Sequence, residues 1–142
     1  KIMFGLFESK EAKLIREDTK RTISNADSQF NEKQQKEIAK RVFSKICKYI
    51  SEIDGLGLGS KRDEIMRNQM NEIKLERQNN IDEKEFGNPE WMVAALVESY
   101  LMMNSGAYGK KLGKEAENIM YWCRAKLSDK EIQDILSKFT MK

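Results

Sequence analysis

The stretch 88–103 constrains this chain more than any other. Asn88-Pro89-Glu90 opens it, and from Trp91 to Met103 only Glu98 and Ser99 interrupt the apolar residues. Asn88 is a good N-cap, proline suits the first helical position because its missing N–H has no partner there, and Glu90 favours the positive end of the helix dipole. With no wide polar face left to solvate, this helix, at about 89–104, is expected to be buried and central. It falls well short of the roughly 20 apolar residues needed to cross a bilayer.

The remaining residues have to supply the partners of that helix, and they read as helices too. Val and Thr occur three times each, Pro once, and no segment alternates with period two, so β structure has little to build on. At 142 residues the chain has the size of one ordinary domain. The expectation is an all-α, single-domain bundle of about six helices spanning 1–142.

Ser9 caps a first helix running to about residue 26, on a thin stripe of Ala12, Ile15, Thr19, Thr22, Ile23 and Ala26. Ahead of it Phe4, Leu6 and Phe7 form an apolar patch in the segment 1–8, suited to packing into the core, pairing with another chain or dipping into a membrane surface.

The second helix, from residue 28 or 31 to 53, has the cleanest pattern. Ile38, Ala39, Val42, Phe43, Ile46, Tyr49, Ile50 and Ile53 fall on one side, and Lys33, Lys36, Lys40, Arg41, Lys45 and Lys48 occupy the other. That second face is either a solvated exterior or a site for phosphates or acidic partners.

The glycine-rich segment 54–61 ends this helix. Ser60 precedes Lys61, no Ser or Thr follows that Lys, and the loop comes after a helix, so the phosphate-loop and dinucleotide patterns both fail. It reads as a turn, with Gly55 in a left-handed cap and Ser60 capping the next helix.

The third helix, 61 to about 78, carries a narrow seam of Ile65, Met66, Met70 and Ile73 with Gln69 and Glu72 beside it. So thin a seam implies a helix lying across the surface, or one pairing with a second copy through Met66, Met70 and Ile73. The linker 79–87 is acidic and lacks the oxygen spacing of a calcium loop.

A fifth helix runs through Leu112, Ala116, Ile119, Met120, Cys123 and Leu127. Ser128-Asp129-Lys130-Glu131 then forms a capping box for the last helix, which buries Ile132, Ile135, Leu136 and Phe139. The central helix is expected to pack on the second helix through Val42, Ile46 and Ile50, and on the fifth through Ile119, Met120 and Cys123.

Between residues 91 and 126, Tyr100, Gly106, Gly109 and Tyr121-Trp122-Cys123-Arg124-Ala125 resemble one unit of the tetratricopeptide and Sel1-like helical repeats. The stretch covers about a quarter of the chain and has no second copy. Such folds need about three stacked units, so the resemblance implies a helical hairpin and nothing further.

The chain has no histidine, which excludes Ser/His and Cys/His nucleophiles and the usual zinc sets. Cys47 and Cys123 are expected as buried free thiols, with a disulfide as the alternative. Glu98 is the one carboxylate placed near the core, to be paired structurally or, standing alone, to act as an acid. No cofactor or metal is indicated, and catalysis is not expected.

The function that remains is a protein interaction or adaptor module, acting as a homo-oligomer or with another protein through Phe4, Leu6, Phe7, Met66, Met70 and Ile73. Nucleic-acid binding through the basic face of the second helix, and peripheral membrane attachment through the aromatic patch, are the alternatives. The opening residues lack an export-signal pattern, but position 1 is not Met, so residues upstream of it stay open; the cytoplasm is the expected location. A net charge of +3 decides none of these.

Overall fold

The computed structural model describes residues 9–80, 88–105 and 110–139. These form six helices: α1 (Lys10–Gln29), α2 (Glu32–Ile53), α3 (Ser60–Asn79), α4 (Pro89–Met103), α5 (Lys110–Lys126) and α6 (Asp129–Lys138). No strand occurs among the described residues.

Each start is set by local chemistry. Ser9 accepts from the Ala12 N–H, and Asn88 from the Trp91 N–H with Pro89 at the first helical position. Asn31 with Gln34, and Ser128 with Glu131, close reciprocal capping boxes. Asn31, not Ser28, therefore starts α2. Gly55 lies at φ 80, just beyond the end of α2, in the left-handed region expected of it.

The start of α3 differs from the expectation. Ser60 is the first helical residue and caps nothing; Gly59, at φ 153, is the N-cap and makes no side-chain bond. A residue with no side chain occupies the capping position, so only its carbonyl contributes, accepting from the Asp63 N–H at 3.1 Å.

The helix α4 is the hub, packing against α1, α2, α3 and α5. Every residue from Met92 to Glu98 is buried. The core joins Met92, Leu96, Val97 and Met103 of α4 to Ile38, Val42, Phe43 and Ile46 of α2, Leu112 and Ile119 of α5, and Ile73 of α3. The helix pair α4–α5 packs as a hairpin would, while Gly106 and Gly109 lie outside the described residues.

Two features went beyond the expected partners, since α1 and α3 also pack on α4. Small residues bring α1 in: Ala12, Thr19, Thr22 and Ala26 are buried, and the two threonine hydroxyls donate to the carbonyls of Ile15 and Asp18 at 2.8 Å. Buried hydroxyls satisfied within their own helix cost little.

A polar staple then fixes the α1–α2 corner. The Gln35 amide donates to the carbonyls of Asp27 and Phe30, and its oxygen accepts from Lys126 at 2.8 Å. The Asp27 carboxylate accepts from the Trp122 indole at 2.8 Å and pairs with Lys126 at 3.2 Å, tying the corner to α5.

Candidate functional site

The basic face of α2 is the natural place to look for a site, and neighbouring helices already answer much of it. Lys36 and Lys40 reach Glu131 of α6 at 3.0 and 3.7 Å, and Arg41 reaches Glu90 of α4 at 3.4 Å. Lys45 sits between Glu72 and Glu76 of α3 at 3.0 and 3.1 Å. Lys33 and Lys48 have no ion pair among the described residues, although Lys48 lies over the Tyr49 ring.

The Lys45 cluster is partly enclosed, and its electrostatics follow from that. Burial works against the ammonium charge, but hydrogen bonds to Glu72 and Glu76 outweigh it and hold the Lys45 pKa above its ordinary value. The Lys45 hydrogen bond in turn draws the Glu72 carboxyl below its usual range, against some burial. Burial pushes the Tyr49 phenol up to about 12, opposed by Lys45. The Tyr49 hydroxyl is buried with no hydrogen bond in bonding geometry among the described residues.

Further along the same interface, the Gln69 amide donates to the Tyr49 carbonyl at 2.9 Å and to Glu52 at 3.0 Å. Glu98, whose side chain is 9% exposed, is paired with Arg77, and the Arg77 guanidinium stacks over Trp91 at 4.8 Å. Glu98 is thus paired, and held from α3.

Two adjoining cavities open along this line of charges. One, of about 440 Å³, lies between the first turns of α2 and the start of α4, lined by Lys33, Glu37, Ile38, Arg41, Pro89 and Glu90 among others. The second, of about 390 Å³, continues between α2, α3 and α4 past Arg41, Lys45, Glu76, Asn80, Glu90 and Val93. Arg41 and Glu90 border both, so their ion pair divides one groove. Pro89 supplies half-buried apolar surface, with the buried Ile38 and Val93 behind it, and both signs of charge line the walls.

The other candidate residues fall elsewhere. Phe4, Leu6 and Phe7 lie outside the described residues. Ile73 is fully buried within this chain and presents no face to a second copy; Met70, packed against the same core, and Met66 are half-buried. Cys47 and Cys123 are buried free thiols, and burial pushes Cys123 up to about 12 and raises Cys47 as well.

Reading the sequence missed Glu76, Glu90, Pro89 and Val93 as groove residues. A signal for the first was present: Gln69, Glu72 and Glu76 recur at helical spacing and share one side of α3, which is unusual for a face with nothing to answer it. No helix of the described residues is long and apolar enough to cross a membrane. Compared with known protein families, characterised proteins and solved structures, the chain matches none.

Proposed function

We propose that the protein is a non-enzymatic interaction module that holds a segment of a partner protein in the groove between α2, α3 and the start of α4. The observation that carries this reading is the pair of adjoining cavities sharing Arg41 and Glu90. Sharing a wall, they offer a continuous path for a segment of chain, with the half-buried Pro89 among charges of both signs.

The dividing ion pair favours the reading. The Arg41 and Glu90 side chains are 45 and 53% exposed, and an exposed pair is worth only about 0.2–1 kcal/mol. A partner's own charges can replace either member at small cost. A protein partner is preferred to nucleic acid because Lys36, Lys40, Arg41 and Lys45 already face carboxylates of α6, α4 and α3, which removes most of the uncompensated charge a phosphate backbone requires.

The test is recovery of partners from native cells by the wild-type protein and by a Lys33→Glu/Glu37→Lys variant, which inverts two exposed positions lining the groove. Loss of one protein from the variant's partners, with unchanged thermal unfolding, supports the groove. Identical partner sets from both proteins overturn it. Retardation of an oligonucleotide at low salt would move the function to nucleic acid.

A further inference from the structure

A third cavity, of about 200 Å³, lies on a different side of α2, where α2, α4, α5 and α6 meet. We propose that it binds a small monocarboxylate with a compact apolar body, such as a singly substituted benzoate.

The walls set the body of the ligand. Ile50 of α2, Met120 of α5 and Leu136 of α6 supply the apolar walls, the buried Phe43 and Cys47 of α2 lie beneath them, and Tyr100 closes the space from α4. Burial keeps the Cys47 thiol protonated by raising its pKa, with Arg124 opposing, so it serves as a small apolar wall. An apolar cavity of about 150 Å³ suffices for benzene, whereas drug-sized ligands take about 300–1,000 Å³. One ring with a small substituent is the size that fits.

The mouth sets the charge. Arg124 is exposed, lies 5.8 Å from the Phe43 ring centre and has no ion pair among the described residues. Its guanidinium is a planar fork suited to a carboxylate, and it stands at the rim of a space that can take the attached apolar group. Glu117, two helical turns earlier on α5, also lines the cavity. Its carboxylate repels a second negative charge, so dicarboxylates are disfavoured.

The test uses 4-methylbenzoate, the uncharged 4-methylbenzyl alcohol and the dicarboxylate terephthalate, with binding followed by titration calorimetry. The monocarboxylate should bind and exceed both analogues by about tenfold, the value of one hydrogen-bonded charge. Arg124→Gln, a change at an exposed position, should remove that advantage without lowering thermal stability. Leu136→Trp, which fills the space from half-buried α6, should abolish binding of all three. Equal affinity for the alcohol and the carboxylate, full affinity in Arg124→Gln, or undiminished binding in Leu136→Trp would each overturn the proposal, as would absence of binding.

Discussion

Helices α3 and α5 both dock on α4, yet they do so with opposite chemistry. The buried side of α5 is apolar, with Leu112, Ala116, Ile119, Met120 and Cys123. On α3 only Gln69 and Ile73 are buried, and the interface is completed by Arg77–Glu98, by Gln69 reaching Tyr49 and Glu52, and by Glu72 and Glu76 around Lys45. Apolar docking is tolerant of detail because burial is roughly proportional to area and has no direction. Polar docking is demanding, since each enclosed group must find its partner or lose about 1–3 kcal/mol. The proposed groove lies along the second kind of interface, where charges are already positioned and only partly covered.

The largest effects should come from equivalent cuts on the two helices. Ile73→Ala and Ile119→Ala both remove a fully buried side chain and should each cost roughly 2–5 kcal/mol. Their distribution should differ. With Ile119 gone, α5 keeps five buried apolar residues, Leu112, Ala116, Met120, Trp122 and Cys123, and unfolding should remain cooperative. With Ile73 gone, α3 has no buried apolar residue left, and its amides should exchange through local opening before global unfolding. Hydrogen exchange that stays uniform in Ile73→Ala would erase the distinction between the helices.

A smaller effect separates pairing from burial. Arg77→Met leaves Glu98 enclosed without its partner and should cost about 2 kcal/mol, less than for a fully buried pair because the Arg77 side chain is 30% exposed. Arg77→Met with Glu98→Leu should recover most of that loss in chemical denaturation, since an apolar replacement of the whole pair leaves no charge stranded. A double variant as unstable as the single one would mean that packing, not the unpaired carboxylate, dominates here. Gln69→Leu comes next, at roughly 1–2 kcal/mol, for leaving the Tyr49 carbonyl and Glu52 without their amide donor.

The mildest perturbation is acid. The Ser128 backbone N–H, with help from Lys36, lowers Glu131 from 4.5 to about 2. A depressed carboxyl pKa contributes stability above the unfolded value and loses it as pH falls through the folded one. Protection of α6 amides should therefore decline from about pH 4.5 down to about 2, and Glu131→Gln should remove that part of the decline. Acid loss in α3 over the same window without loss in α6 would place the acid-sensitive contact outside Glu131.

How legible each region was follows from the same contrast. The segment 88–103 could be read because one face after another is apolar, and the α2 and α5 seams because their spacing matches the helical period. The capping residues Ser9, Asn31, Asn88 and Ser128 announce themselves locally. The α3 interface was not legible in this way: Ile73 was open to reading as a contact for another copy, and the six cations of α2 as a free basic face. Nothing in the local pattern of Lys45 says that Glu72 and Glu76, a loop and a helix away, will face it.

By itself, the sequence determined the all-helical class, the order of the six helices and the burial of α4. Hydrophobic periodicity and capping act over neighbouring residues, within reach of a pattern. Tertiary structure decided which charges meet, that Glu98 is held by Arg77, and that two cavities adjoin at Arg41 and Glu90. Ion pairs and grooves depend on the relative placement of helices far apart in the chain, and electrostatic partners are interchangeable until packing brings particular ones within a few ångströms.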